Sequence, residues 1–232
     1  MLDVPNRDRQ TERREATRQE ILDAAWAVAR EQGLAQLTLR QVAERVGMRA
    51  PSLYSHFQSK HAIYDAMYAD AWTDCLEVSR AVRATLPPTL RGALRVAART
   101  YFDFAVSDLA RNQLMNQRTI PGFEPTPESY EPAVATLQTL VDALADHGVT
   151  AQESVDLWVA LIGGMVDSQL ANDPGGDRWE RLLDRAVDMY VDHLGLDSDT
   201  AQPTNTQPID KGIGHEQPAR HEEGAARAAA RP

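Results

Sequence analysis

One cysteine, Cys75, occurs in 232 residues. A lone cysteine excludes an internal disulfide framework and a cysteine-rich zinc site. It reads as a small buried hydrophobe rather than a redox sensor. Aromatic residues make up only 6% of the chain. No apolar run reaches the roughly 18 to 20 residues that a membrane span needs. The polar N-terminal stretch has no apolar h-region of the kind a secretory signal carries. Strand signals are missing too: there is no sustained period-2 alternation and no Asn-Gly hairpin. A His-Glu-x-x-His motif, a phosphate-binding Gly-rich loop and a Gly-x-Ser-x-Gly elbow are absent. Gly212-x-Gly214 is too short to mean anything. Asp188, Asp192 and His193 share a helix without a second ligand cluster, so neither a metal nor a cofactor is expected. What remains is a globular, all-α chain with the cytoplasm as its expected compartment. At 43% hydrophobic, it has enough apolar residues for a sizeable core.

The formal net charge is -10, which argues against indiscriminate nucleic-acid binding. The charge is uneven, however. Residues 1–61 carry 10 Lys/Arg against 8 Asp/Glu, whereas residues 62–232 carry 14 against 26. A weakly basic N-terminal segment ahead of an acidic body keeps any DNA contact local.

Helical periodicity covers residues 14 to 195. Ile21, Leu22, Ala25, Val28 and Ala29 form the stripe of a first amphipathic helix, ended by Gly33. Thr38 and Gln41 have capping-box spacing and open a second helix through Val46. Gly47-Met48 breaks it, and a third helix is expected from Arg49 to His56. Ser59 caps a fourth from Lys60 to about Ala84, which Pro87-Pro88 stops. The next stripe runs from Leu94 through Tyr101 and Phe102 to Leu109, with Arg91, Arg95 and Arg99 spaced four apart. Residues 119–127 read as a loop, with Thr126 as N-cap and Pro127 at N1. A helix then reaches His147-Gly148. Thr150 and Glu153 repeat the capping-box spacing ahead of a stripe from Trp158 to Leu170. Asn172 to Gly176 is a turn. A last helix runs from Trp179 to Leu194 and ends at Gly195. Residues 197–232 hold no aromatic side chain and four prolines, so they read as a disordered tail. Residues 1–13 read as a flexible arm, and Arg14 and Arg18, just beyond it, are the first candidates for DNA contact near the N-terminus.

The segment Thr38 to Lys60 carries the most information. Two short helices flank a Gly turn. Ala43, four residues before Gly47, allows a close crossing, and Val42, Val46, Leu53 and Phe57 supply a shared apolar core. That is the spacing of a helix-turn-helix, which braces one helix across a DNA backbone and presents the next to the major groove. Arg49 has the fork that fits guanine or phosphate. Ser52, Tyr54 and His56 offer donors to phosphates or base edges. Pro51 suits a first turn. Lys60 joins an ammonium to a helix N-terminus, which is a phosphate clamp.

These residues resemble the N-terminal DNA-binding domain of the TetR (tetracycline repressor) family of transcriptional regulators. The resemblance covers residues 14 to 64. It rests on a helix ending at Gly33, Thr38, Ala43-x-x-x-Gly47, Pro51-Ser52-Leu53-Tyr54, His56-Phe57 and Ser59-Lys60. It implies that Thr38, Tyr54, His56 and Lys60 touch phosphates and that Arg49, Ala50, Pro51 and Ser52 face bases. Any readout at Ala50 is then apolar, as to a thymine methyl. The resemblance further implies domains at 14–60 (DNA-binding) and 61–196 (ligand-binding and dimerisation). It implies a homodimer paired through the last two long helices, a palindromic operator in double-stranded DNA, and a small, largely apolar effector that releases a repressor. The loop from Arg118 to Pro127 is similar to a segment in many actinobacterial members.

Candidates for the pocket lining are Trp72, Cys75, Tyr101, Phe104, Met115, Phe123, Trp158 and Met165, with ordinary core as the competing reading of each. The wide apolar stripes of the last two helices fit a symmetric dimer, which removes them from water. Two other functions compete with a regulator. An all-α enzyme lacks any of the motifs above, and a helical adaptor with a vestigial helix-turn-helix has no need of the polar recognition surface.

Overall fold

The computed structural model describes residues 5–196, with side chains from residue 9 onward. The tail expected over 197–232 lies outside the described residues. Within them the protein is all-helical, without a strand. Nine α-helices follow in order: α1 (Pro5–Gln32), α2 (Leu39–Arg45), α3 (Ala50–Leu53), α4 (Lys60–Arg83), α5 (Leu90–Val106), α6 (Leu109–Asn116), α7 (Pro127–Ala145), α8 (Gln152–Asn172) and α9 (Leu183–Leu194). Short 3-10 turns cover Leu34–Gln36 and Glu180–Leu182.

α1 starts nine residues before the first position expected. Residues 9–16 are exposed on every side and show no apolar stripe, so periodicity could not find them. Intrinsic preference forms the helix there, because no glycine or proline interrupts 6–32 and the stretch is rich in Arg, Glu and Gln. The C-terminal half buries Ile21, Leu22, Ala25, Val28 and Ala29 as their spacing predicts, and Trp26 with them. Gly33 then turns the chain at φ 86, a left-handed value that disfavours any side chain.

Two apolar cores hold the protein. The first joins α1, α2, α3, α4, α6 and the start of α7, from Ile21 to Ala133. The second joins α5, the end of α7, α8 and α9, and Tyr101 packs against both. Packing therefore runs without a seam through residue 60, and α4 is shared by the helix-turn-helix and the body. α4 lies along α7 more extensively than any other pair of helices meets. The three arginines of α5 face α9 and its preceding turn. Arg91 pairs with Asp188 (3.0 Å) and Asp192 (2.7 Å), Arg95 with Asp188 (2.6 Å), and Arg99 with Glu180. Hydrogen bonds from Arg91 and Arg95 hold the Asp188 carboxyl below the usual carboxylate range.

Four local readings are corrected. α3 is four residues long, because the chain turns at Tyr54–His56 and Phe57 N–H returns to the Leu53 carbonyl. The α5 stripe stops at Val106, and Leu109 is half exposed at the start of α6. Asp108 makes this break: its carboxylate caps Arg111 N–H and pairs with Arg30 on α1 at 2.7 Å, while the Arg111 guanidinium donates to the Phe104 carbonyl. The Thr150 capping box does not form; Ala151 is the N-cap, without a side-chain bond. Burial of Val149 in the second core holds the chain extended past Thr150. The last helix is a 3-10 turn followed by α9, not a single α-helix from Trp179.

Candidate nucleic-acid interface and internal cavity

Capping fixes the helix-turn-helix. Thr38 accepts from Gln41 N–H (3.3 Å), and the Gln41 side chain accepts from Thr38 N–H (3.0 Å), a complete capping box. Gly47 reverses the chain at φ 68, and Met48 N–H closes onto the Ala43 carbonyl at 2.8 Å. Ala43, Val42, Leu53 and Phe57 are buried between the helices. Arg18 of α1 donates to the His56 carbonyl, and its guanidinium stacks 4.2 Å over the Phe57 ring. It braces the turn after α3 from behind. Arg45 forms a two-pronged bond with Glu31 at 2.6 and 2.8 Å, tying α2 to α1. Lys60 donates to the Ala35 carbonyl at 3.2 Å and sits 5.3 Å over the Tyr64 ring. Partial burial draws its ammonium below the usual lysine value. The Tyr64 hydroxyl, fully buried, donates to the Leu34 carbonyl.

A second feature lies in the body. A cavity of about 680 Å³ lies between α4, α5, α6, α7 and α8. Its wall is mainly apolar and aromatic, including Tyr68, Trp72, Tyr101, Tyr130 and Trp158. Tyr68 and Tyr130 stack at 6.2 Å. Burial pushes the hydroxyls of Tyr68 and Tyr101 up to about 12. A polar relay reaches in from α6: Tyr101 Oη donates to Asn116 Oδ1 (3.4 Å) and Asn116 Nδ2 donates to Asn112 Oδ1 (2.9 Å). Among the described residues no group of three or more His, Cys, Asp or Glu is placed to hold a metal ion. No described helix is long and apolar enough to cross a membrane.

Residues 21–67 match the family described as bacterial regulatory proteins, tetR family. The chain is 29% identical over 193 residues to the class A tetracycline repressor protein from transposon 1721 of Escherichia coli, covering 77% of this chain and 82% of that one. Residues 21–67 thus form a TetR-type DNA-binding domain. It is also 27% identical over 161 residues to the HTH-type transcriptional activator FasR of Mycolicibacterium smegmatis, covering 67% of this chain and 71% of that one. The fold matches that of the transcriptional regulator FadR from Bacillus subtilis, solved with stearoyl-CoA, at a TM-score of 0.63 and 18% identity, covering 75% and 97% of the two chains. With that domain and these relatives, the protein is a transcriptional regulator with a DNA-binding helix-turn-helix.

The expected DNA-facing residues of this TetR domain fall into two groups. Arg49, Pro51, Ser52 and Tyr54 are exposed around α3, Tyr54 by 53%. Thr38 is exposed at the N-terminus of α2, with its hydroxyl engaged in the capping box. Ala50, His56 and Lys60 are half-buried. Ala50 packs against the first core, and His56 Nδ1 is buried without a hydrogen bond. Arg14 is exposed, whereas Arg18 is half-buried in the brace just described.

Of the expected lining residues, Trp72, Tyr101, Met115 and Trp158 meet at the cavity. Four do not. Cys75 is buried in the first core, where burial pushes its thiol up to about 11. Phe104 lies under the Arg111 guanidinium at 3.7 Å. Phe123 packs on His61 and Tyr64 near the start of α4. Met165 is buried in the second core. Sequence reasoning missed Tyr68, Tyr130 and Asn112. The available signal for Asn112 was an uncharged polar residue on the buried face of α6, between Ala110 and Leu114.

Proposed function

We propose that the protein is a homodimeric repressor that binds a palindromic operator and is released by a small, largely apolar effector seated in the cavity. The carrying observation is the exposed polar face of Arg49, Ser52 and Tyr54 on a helix too short to stand alone, held from behind by the Thr38 capping box and the Arg18 brace. Arg49, Ala50, Pro51 and Ser52 reach base edges. Thr38, Tyr54, His56 and Lys60 take phosphates, which position without specifying. Residues 14–60 act as the reading head and 61–196 as the effector and dimer body, in the cytoplasm.

The similarity to the class A tetracycline repressor protein supports the repressing sign. That FadR was solved with stearoyl-CoA supports a ligand in a body of this fold. Dimerisation is supported by the apolar side chains that one copy leaves outside: Leu157 (44% exposed) on α8, and Leu182 (40%), Met189 (64%) and Leu196 (47%), seven residues apart on and beside α9. Paired across a two-fold axis, α8 and α9 of both copies form a four-helix bundle. α4 links the two activities. Its first residue is Lys60, and Tyr68, Trp72 and Arg83 line the cavity further along its 24 residues. An effector moves the reading heads only as far as it binds one head spacing better than the other.

The experiment is a gel shift with duplex DNA from the region upstream of the protein's own gene. Tyr54→Ala and Lys60→Ala are expected to weaken binding at moderate salt while the dimer stays folded. Half-sites should lie about 34 to 36 Å apart, or a multiple of that. Unchanged affinity in both variants refutes the assignment. Transcription that rises when protein is added to the template makes the protein an activator.

A further inference from the structure

We infer that the cavity takes an uncharged, mainly apolar molecule carrying a hydrogen-bond acceptor, and that Asn112 Nδ2 donates to that acceptor. The inference rests on the proposed role of the cavity as the effector site and adds the chemical class of the effector.

Asn112 is the deciding residue. It is only 2% exposed and lines the cavity. Its Oδ1 accepts from Asn116 Nδ2, whose own amide oxygen accepts from Tyr101 Oη. In this relay Oδ1 is taken up and Nδ2 is left over, buried and without a partner. Native interiors seldom leave an amide donor unpaired, because the lost hydration is not returned. A carbonyl or ether oxygen returns it. Trp72 Nε1, also on the cavity wall, is a second buried donor, with the Tyr68 hydroxyl beside it. The polar wall thus offers donors.

Charge is excluded by what surrounds the space. Arg83 is the one cation among the described lining residues, and it donates to Asp146 at 2.6 Å. Asp167, at the rim, has the wrong sign for an anion and is itself exposed. A carboxylate or phosphate carried inside would lose its hydration and find no free counter-charge.

The test uses three probes on one frame: benzophenone, diphenylmethane and 4-benzoylbenzoate. They are titrated calorimetrically into the full chain, Asn112→Leu and Gly163→Leu. Asn112→Leu removes the donor at nearly constant shape. Gly163→Leu fills the cavity from α8, where an added Cβ meets nothing within 4 Å. The ketone is expected to bind the unmodified chain about tenfold more tightly than the hydrocarbon, since one neutral hydrogen bond in a dry site is worth about that factor. The carboxylate is expected to show no binding. Asn112→Leu should erase the preference for the ketone over the hydrocarbon, and Gly163→Leu should weaken both. Ketone and hydrocarbon of equal affinity, or a carboxylate that binds as well as the ketone, overturns the chemical class while loss in Gly163→Leu still supports the site. Binding indifferent to Gly163→Leu overturns the site reading. Absence of binding by all three up to their solubility limits overturns the proposal.

Discussion

Asp65, in the second turn of α4, holds the start of α7. Its Oδ1 accepts from Thr126 N–H at 2.7 Å, and its Oδ2 accepts from Thr126 Oγ1 at 3.0 Å and Ser129 Oγ at 2.7 Å. Thr126 is itself the N-cap of α7, accepting from Ser129 N–H. One carboxylate therefore organises a cap 61 residues away in sequence. Hydrogen bonds to a charged group contribute about 1.5 to 3 kcal/mol when sheltered. The two bonds to Thr126 are exposed and scale down to roughly 0.5 to 1 kcal/mol each. Ser129 is only 9% exposed, so its bond keeps about 1.5 kcal/mol. Asp65→Ala is expected to destabilise the protein by about 2.5 to 3.5 kcal/mol in total on this reasoning. Asp65→Asn keeps one acceptor oxygen but turns an amide donor towards other donors, and should cost about half as much. The assay is urea unfolding followed by circular dichroism, with a double-mutant cycle against Ser129→Ala. A coupling of about 1 kcal/mol between Asp65 and Ser129 is expected. A loss below about 0.5 kcal/mol in Asp65→Ala, or additive single and double variants, refutes the clamp.

Thr38 should separate stability from DNA contact: Thr38→Val loses the cap and about 1 kcal/mol, whereas Thr38→Asp keeps the cap and places a negative charge where phosphates are expected. The second variant should melt like the parent and bind DNA at least tenfold more weakly in a fluorescence-anisotropy titration. Met189→Glu should shift the chain towards monomer in sedimentation velocity, since it buries a charge in the proposed α8–α9 interface; an unchanged dimer refutes that surface. Stability should fall with alkali in two windows, because ionisation of buried acids is easier in the unfolded chain. Cys75 acts between about pH 9 and 11, and Tyr64, Tyr68, Tyr101 and Tyr190 between 10 and about 12. Melting temperatures from pH 8 to 12 test the sign, and a thiol that reacts with a disulfide reagent at pH 8 before unfolding refutes the burial of Cys75.

Local signals were read correctly where the chain satisfies its own backbone. Thr38 with Gln41, Ser59, and Thr126 before Pro127 all cap the helices they predict, because each cap closes over three or four residues. Long-range partners defeated the same method elsewhere. The break between α5 and α6 depends on Arg30, 78 residues from Asp108. The extended chain through Ala151 depends on where Val149 is buried. The pocket was half legible for a related reason. Tyr101 and Trp158 announce an apolar interior, but the cavity is enclosed by five helices, and no one helix encodes how the others close around it. Asn112 was not singled out, because its one polar partner, Asn116, lies a turn on at the exposed edge of the same helix and gives no sequence signal of a buried amide.

The two ends of α4 constrain how any ligand signal travels. Near its start, Asp65 grips Thr126 and Ser129 at the beginning of α7. At its last residue, Arg83 grips Asp146, just beyond the end of α7. The parallel pair is thus fastened at both ends, and the cavity wall formed by Tyr68, Trp72 and Tyr130 lies between the fasteners. A molecule pressing on that wall has little freedom to bend α4 away from α7 alone. On the proposed function, it is expected to displace the two helices as one body against α5, α6 and α8. Because the first core continues from α4 into α1, α2 and α3 without a seam, such a displacement carries Lys60 and the reading head with it. The free energy available for the shift is the ligand's preference for the displaced arrangement, and no more.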